Sequence, residues 1–226
     1  ITGGAKRLGA AIGRKLHTAG AALVVHYNQS RAEADALVGE FESLRPGSAL
    51  AVRADLHEVG LLPGLVAAAV ERFGRLDVLV NNASTFYPTP VGTITAAQFD
   101  DLVGTNLRAP LFLSQAAAPA LAEARGLIIN MVDIHGRRPL RAHPVYSAAK
   151  AGLVMLTRSL ARELGPEVRV NGIAPGPVMW PERDLEDALK TEIIATTALK
   201  RAGSPEDIAR AAYFFAVDAP SVTGEV

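Results

Sequence analysis

Cysteine is absent from this sequence, which excludes disulfides, thiolate metal sites and cysteine nucleophiles. A protein without thiols fits a reducing compartment, and the cytoplasm is the expected location. An excess of either charge is also missing: Lys and Arg together number 23, and so do Asp and Glu. The formal net charge of zero removes a global electrostatic case for nucleic acid or an anionic membrane as partner. No uninterrupted apolar run approaches the roughly 18 residues of a membrane span. The opening residues Ile1-Thr2-Gly3-Gly4 lack an initiator Met and carry no cationic segment followed by an apolar one, so no signal peptide is expected. His17, His57 and His143 stand at no metal-ligand spacing, and no metal site is expected.

What is present points to a folded domain. Apolar residues make up 49% of 226 and charged residues only 20%, which favours much buried surface over a solvated, disordered chain. There is no repeat, low-complexity tract or linker long enough to divide the chain, so one domain spanning residues 1–226 is expected. Short β-branched or apolar runs at residues 23–25, 49–54, 76–80, 127–132 and 168–173 alternate with longer stretches of helical spacing. Leu8, Ile12 and Leu16 share one helix face in residues 8–19, and residues 32–41 and 61–73 read similarly. This alternation predicts βαβ units and a single doubly wound α/β fold of Rossmann type, a parallel sheet with helices on both faces.

In such a fold ligands lie beyond the carboxyl ends of the strands. The first such place is Thr2-Gly3-Gly4-Ala5-Lys6-Arg7-Leu8-Gly9, opening into a helix. Glycines there permit a tight turn and let backbone N–H groups approach a pyrophosphate. Arg7 adds a cation that can reach a phosphate. The second is His26-Tyr27-Asn28-Gln29-Ser30-Arg31, where an NAD site usually carries an acid. No Asp or Glu occurs between Ala10 and Ala32; Arg7, Asn28, Ser30 and Arg31 suit a 2′-phosphate instead, so NADPH is favoured over NADH. Arg31 serves equally well as the start of a solvated helix. Asp55, followed by Leu56, either accepts from the adenine amine or caps a helix. Asn81-Asn82-Ala83-Ser84 either meets cofactor edges or braces neighbouring strands.

Tyr146-Ser147-Ala148-Ala149-Lys150 opens a helix expected over residues 146–164. Tyr and Lys four apart share a face. A nearby ammonium stabilises phenolate, so Lys150 is expected to lower the Tyr146 pKa toward working pH and make it a proton donor.

Together these segments resemble the short-chain dehydrogenase/reductase superfamily over essentially the whole chain. Thr2-Gly3 to Gly9 resembles its glycine motif. Asn81-Asn82-Ala83 resembles its Asn-Asn-Ala-Gly motif, with Ser84 in place of Gly. Asn106 resembles its structural and proton-relay Asn, Tyr146 and Lys150 its catalytic pair, and Pro175-Gly176 its nicotinamide-side motif. Two departures matter. Arg7 stands where Gly is usual, and Asp133 stands thirteen residues before the Tyr, where Ser is usual. Both are similar to one subgroup, the pteridine reductases. Phe86, within the segment from Asn82 to Pro90, corresponds to their pterin-stacking position, and His26-Tyr27 to Ser30 resembles their NADPH-phosphate segment, with Gln29 where a basic residue is frequent.

That resemblance implies an NADPH-dependent pteridine reductase acting on dihydropterins, with dihydrofolate or oxidised pterin as further substrates. Asp133 and Tyr146 would form the proton relay. Lys150 would bind the ribose and Asn106 anchor a water chain toward it. Arg7 and Ser84 would touch cofactor phosphate and pterin. A carboxylate repels a developing alkoxide but suits a substrate that presents N–H groups and needs a proton. Phe86 stacked on the pterin would hold the ring for transfer.

Lesser features are read more plainly. His135 either lines the pocket or fills its loop, the latter being favoured. Met179 and Trp180 are an aromatic rim or helix packing. Residues 181–200 are helix-prone, with a lid as one reading, and Glu182, Asp184, Glu186 and Asp187 are expected to form a solvated face. The apolar helices at residues 110–124 and 146–164 correspond to the superfamily's subunit-packing helices, implying a homotetramer. The chain is expected to be clipped at both ends, omitting the start of its first strand and the tail after residues 222–226. The rival readings are another carbonyl reductase, such as a 3-oxoacyl thioester reductase, and a catalytically silent NADPH-binding regulator.

Overall fold

In the computed structural model, residues 1–180 and 186–226 are described. Five strands alternate with helices: α1 Arg7–Thr18, β1 Leu23–Tyr27, α2 Arg31–Leu44, β2 Ala49–Arg53, α3 Leu62–Phe73, β3 Val78–Asn81, α4 Ala96–Val103, α5 Ala109–Ala124, β4 Leu127–Met131, α6 Pro144–Glu163, β5 Arg169–Ile173, α7 Asp187–Thr196 and α8 Pro205–Tyr213. All strand pairs are parallel, β1 with β2 in one group and β3-β4-β5 in the other.

Residues 1–4 join the two groups. Thr2 N–H donates to Val80 O at 3.0 Å, while His26 N–H donates to Ile1 O at 3.1 Å and Gly4 N–H to His26 O at 2.9 Å. The spatial order is therefore β2, β1, the opening segment, β3, β4, β5. Crossovers run in opposite directions from the middle, which is the topology that opens a crevice at the carboxyl ends. At the other edge, Gly224 N–H reaches Val170 O and Gly172 N–H reaches Glu225 O, both at 2.7 Å.

Two apolar layers follow from strand periodicity. Leu127, Ile129, Met131 and Val80 face one layer with Ile12, Leu16 and Phe41 of α1 and α2 and Ile208 of α8. Ile128, Leu79 and Val170 face the other, with Leu65 of α3 and Leu113, Ala117 and Leu121 of α5. Adjacent residues Ile128 and Ile129 point to opposite faces because strand side chains alternate. Both are fully buried, each contributing roughly 1.5–3 kcal/mol of burial.

Several expectations shift at their edges. The helix placed at residues 146–164 begins at Pro144, because proline fits a first helical turn that needs no donor. α4, carrying a Thr95 and Gln98 capping box, was not foreseen. It runs into α5 through a π-helical turn, Gly104–Arg108. Of residues 181–200, α7 is helical, while Glu182 and Asp184 lie outside the described residues. Glu186 and Asp187 are exposed, as expected of a solvated face.

Candidate active site

The glycine turn is built at the crevice. Gly3 adopts φ +56° and Arg7 φ +53°, so the chain folds back sharply into α1. Gly9 is packed so closely that a Cβ there would stand 2.5 Å from Gly3 O and 2.7 Å from Asn82 Nδ2. The first turn of α1 has no side-chain cap and no acidic residue. Its orphan N–H groups and the positive end of the helix dipole suit a phosphate.

Beneath the turn, Thr2 Oγ1 accepts from Asn82 N–H at 2.9 Å and Ala83 N–H at 3.0 Å. Asn82 Nδ2 donates to Thr2 O and Gly3 O. Of the two readings for the Asn segment, Asn82 thus braces the turn. Asn81 does the same deeper down, donating to Asn130 Oδ1 at 2.9 Å.

His26, which opens the segment expected to meet the cofactor phosphate, is a brace of the glycine turn. Its Nδ1 accepts from Gly3 N–H at 3.1 Å and its Nε2 donates to Ala54 O at 3.0 Å. Those partners require the neutral ring with hydrogen on Nε2, and burial pushes its pKa down to about 4.

At the end of β1, Tyr27 is buried while Asn28 and Arg31 are exposed and Ser30 half-buried. Arg31 lies 3.4 Å from Asp35 on the surface of α2. Asp55 Oδ1 accepts His57 N–H at 2.9 Å, turning its loop, and Leu56 is buried. Pro175, half-buried, and Gly176, exposed, follow β5. Arg7 Nη2 donates to Trp180 O at 3.0 Å, fastening the chain beyond Gly176 across the mouth of the glycine turn.

The catalytic candidates converge at the ends of β3, β4 and α6. Tyr146 donates its hydroxyl proton to Asp133 Oδ2 at 2.6 Å. The other oxygen, Oδ1, accepts His135 N–H at 2.9 Å and so caps the short turn Ile134–Gly136. His135 Nδ1 meets Arg138 O at 3.0 Å, so this residue braces its loop.

Lys150 is buried and donates to Met131 O at 2.9 Å. Asn106, on the π-helical turn, gives Nδ2 to Thr85 O and Leu102 O, both at 2.9 Å, and receives Ser84 Oγ at 2.6 Å. Ser84 and Asn106 are thus joined directly, at the mouth of the crevice where both are expected to act. Phe86, 43% exposed, stacks on His143 at 4.7 Å and meets Tyr146 edge-on at 4.8 Å.

One expectation is corrected. Lys150 does not lower the Tyr146 pKa. Burial first, and then the Asp133 charge and hydrogen bond, drive the phenol up from its ordinary value. The ammonium lies 5.6 Å from the Tyr146 ring centroid and bonds elsewhere. Tyr146 is therefore held as a phenol, the form that can donate a proton.

Burial also lowers the Lys150 pKa, from the ordinary 10.5 to about 8. The folded chain then releases this proton while the unfolded chain still holds it, so stability rises with pH between those values. Wild type should gain about 2 kcal/mol over Lys150→Met between pH 8 and pH 10, read from urea midpoints at each pH. Parallel midpoints would show that the ammonium carries no burial penalty.

No group of three or more metal-ligating side chains exists among the described residues. Nor is any helix among them long and apolar enough to cross a membrane. The crevice brings together a glycine turn at a helix N-terminus, a Tyr-Lys pair, and a carboxylate within reach of the Tyr hydroxyl.

Comparison with known proteins agrees with that arrangement. The family described as enoyl-(acyl carrier protein) reductase matches residues 3–226. An uncharacterised oxidoreductase of Methylorubrum extorquens is 39% identical over all of this chain and 93% of its own length. Pteridine reductase 1 of Leishmania tarentolae is 39% identical over 80% of this chain and 76% of its own. A 3-oxoacyl-[acyl-carrier-protein] reductase of Staphylococcus aureus is 33% identical over all of this chain and 93% of its own. With its doubly wound sheet, glycine turn and Tyr146-Lys150 pair, the chain belongs to the short-chain dehydrogenase/reductase family of nicotinamide-dependent oxidoreductases.

Proposed function

We propose that the protein is an NADPH-dependent pteridine reductase that reduces a C=N bond of a dihydropterin. The observation that carries this reading is Asp133 Oδ2 at 2.6 Å from the Tyr146 hydroxyl. A carbonyl reductase needs a neutral donor at this place to steady a developing alkoxide. A carboxylate does the opposite, but accepts N–H groups of a pterin and can receive and return a proton.

When bound, NADPH supplies the hydride. On the protein side, Tyr146 would give its proton to the substrate nitrogen as the C=N π bond breaks and the carbon takes the hydride, and the phenolate left behind would regain a proton from solvent by way of Asp133, to which it is hydrogen-bonded. Lys150, buried beneath, would hold the ribose. The exposed flank of Phe86 is a seat for a flat heterocycle. Aromatic stacking there is worth about 0.5–1.5 kcal/mol beyond area burial. The absence of acid after β1, together with Asn28, Ser30, Arg31 and Arg7, supports the 2′-phosphate of NADPH. Leu111 on α5 and Met155 on α6, both exposed, support a homotetramer.

The second reading is a 3-oxoacyl thioester reductase, favoured by the similarity to the Staphylococcus aureus enzyme along the full chain. A substrate panel separates the two. Dihydrobiopterin should stimulate NADPH oxidation more than acetoacetyl thioesters do, and NADPH should exceed NADH. The reverse ranking of acceptors would overturn the pterin assignment.

A further inference from the structure

His57 belongs to no expected functional set, yet it joins the Asp55 loop to the turn that precedes Asn106. Its N–H bonds to Asp55 Oδ1 at 2.9 Å, so its backbone is part of the loop after β2, for which contact with the adenine end of the cofactor is one of the two readings. Its ring points the other way. Nε2 lies 3.0 Å from Thr105 Oγ1 and 3.2 Å from Asp101 Oδ1. Gly104 makes room for it: a Cβ on that residue would stand 2.7 Å from two atoms of the imidazole. The ring thus has a built seat against the first residues of the π-helical turn.

From that seat two contacts lead to the candidate chemistry. Thr105 precedes Asn106, whose side chain holds Ser84 and Thr85. Asp101 uses its other oxygen to accept the Tyr87 hydroxyl at 2.8 Å, and Tyr87 follows Phe86 in the chain. Burial and Asp101 together push the Tyr87 phenol up to about 12, which keeps it a donor at neutral pH. π-Helical insertions are frequent at functional sites because they displace one residue out of helical register. Here the displaced turn is fastened by a side chain from the cofactor loop.

We propose that His57 is a positioning residue through which occupancy of the adenine end of the crevice orders the Asn106 turn and the segment carrying Ser84 to Tyr87. The inference rests on the cofactor site and not on the identity of the substrate. It gives the remote half of a dinucleotide a physical connection to the reacting half, so that adenine-end binding energy can serve orientation.

The test reads ordering directly, by hydrogen–deuterium exchange of residues 84–87 and 102–108. The probes are 2′-phospho-ADP-ribose and ADP-ribose, which occupy the adenine end without a nicotinamide. In wild type the bound probe should slow exchange in both segments about tenfold. In His57→Leu that slowing should fall below about twofold, while calorimetric affinity for the probe changes less than about threefold. Thr105→Val should abolish the effect at residues 102–108, and Tyr87→Phe only at residues 84–87. These two variants decide the matter if His57→Leu does not fold. Full protection in His57→Leu, or in both other variants, would overturn the coupling, as would its absence in wild type. If neither probe binds, the cofactor assignment fails and the coupling with it. Failure of dihydrobiopterin as substrate leaves this inference standing.

Discussion

Tyr146→Phe is expected to lower kcat for dihydropterin reduction by about 10³-fold, with NADPH affinity nearly unchanged. The ring of the new residue fills the same buried place, and its edge contact with Phe86 survives, because that contact uses carbon atoms. Lys150 keeps its bond to Met131 O. Asp133 keeps the His135 N–H. Only the hydroxyl is lost, and with it the proton donor 2.6 Å from the carboxylate. The effect should therefore fall on kcat and on kcat/KM alike, as for an interaction made in the transition state. Steady-state rates with fluorescence titration of NADPH separate the two quantities. Full turnover in the variant would remove Tyr146 from the proton relay.

The parts of this site that could be read in advance are those carried by local patterns. The glycine turn and the Tyr146-Lys150 spacing announce themselves because each acts within one strand end or one helix turn. Asp133 and Phe86 are legible only through the family resemblance, the first by standing thirteen residues before Tyr146 and the second within residues 82–90. What escaped reading depends on long-range meeting of residues. His26 is an ordinary inward residue of β1 until the turn from Gly3 folds back onto it. His57 meets Thr105 across 48 positions of sequence, and nothing local marks either as a partner. The π-helical turn was equally hidden, since residues 96–108 lack the apolar run that drew attention to α5. The Tyr146 shift runs opposite to what its helix alone predicts for a related reason. Helical spacing places Lys150 on the same face, but only the folded loop brings Asp133 against the phenol and turns Lys150 toward Met131 O. Proximity along a helix was outweighed by burial and by a charge from another strand.

Asp133→Ser distinguishes the two readings of the reaction most sharply. The serine hydroxyl can still cap the turn Ile134–Gly136, as Asp133 Oδ1 does now through His135 N–H, so the loop should persist. The half-buried carboxylate is lost. Tyr146 should then ionise at lower pH than in wild type, because two of the causes that raise its pKa come from Asp133. Phenolate absorbance during alkaline titration measures this shift, and an unmoved titration would mean that burial alone governs the phenol. Dihydrobiopterin reduction should drop about 100-fold in kcat/KM, within the range for loss of a general acid–base partner. Reduction of an acetoacetyl thioester should rise in the same variant, since a neutral hydroxyl beside Tyr146 can donate to a developing alkoxide where a carboxylate repels it. Asp133→Asn supplies the control: it keeps the shape and the acceptor for His135 N–H but not the charge. If Asn behaves as Ser, the charge of Asp133 selects the substrate. If Asn retains pterin reduction, the geometry of the acceptor does so, and the carboxylate serves to hold Tyr146 in place.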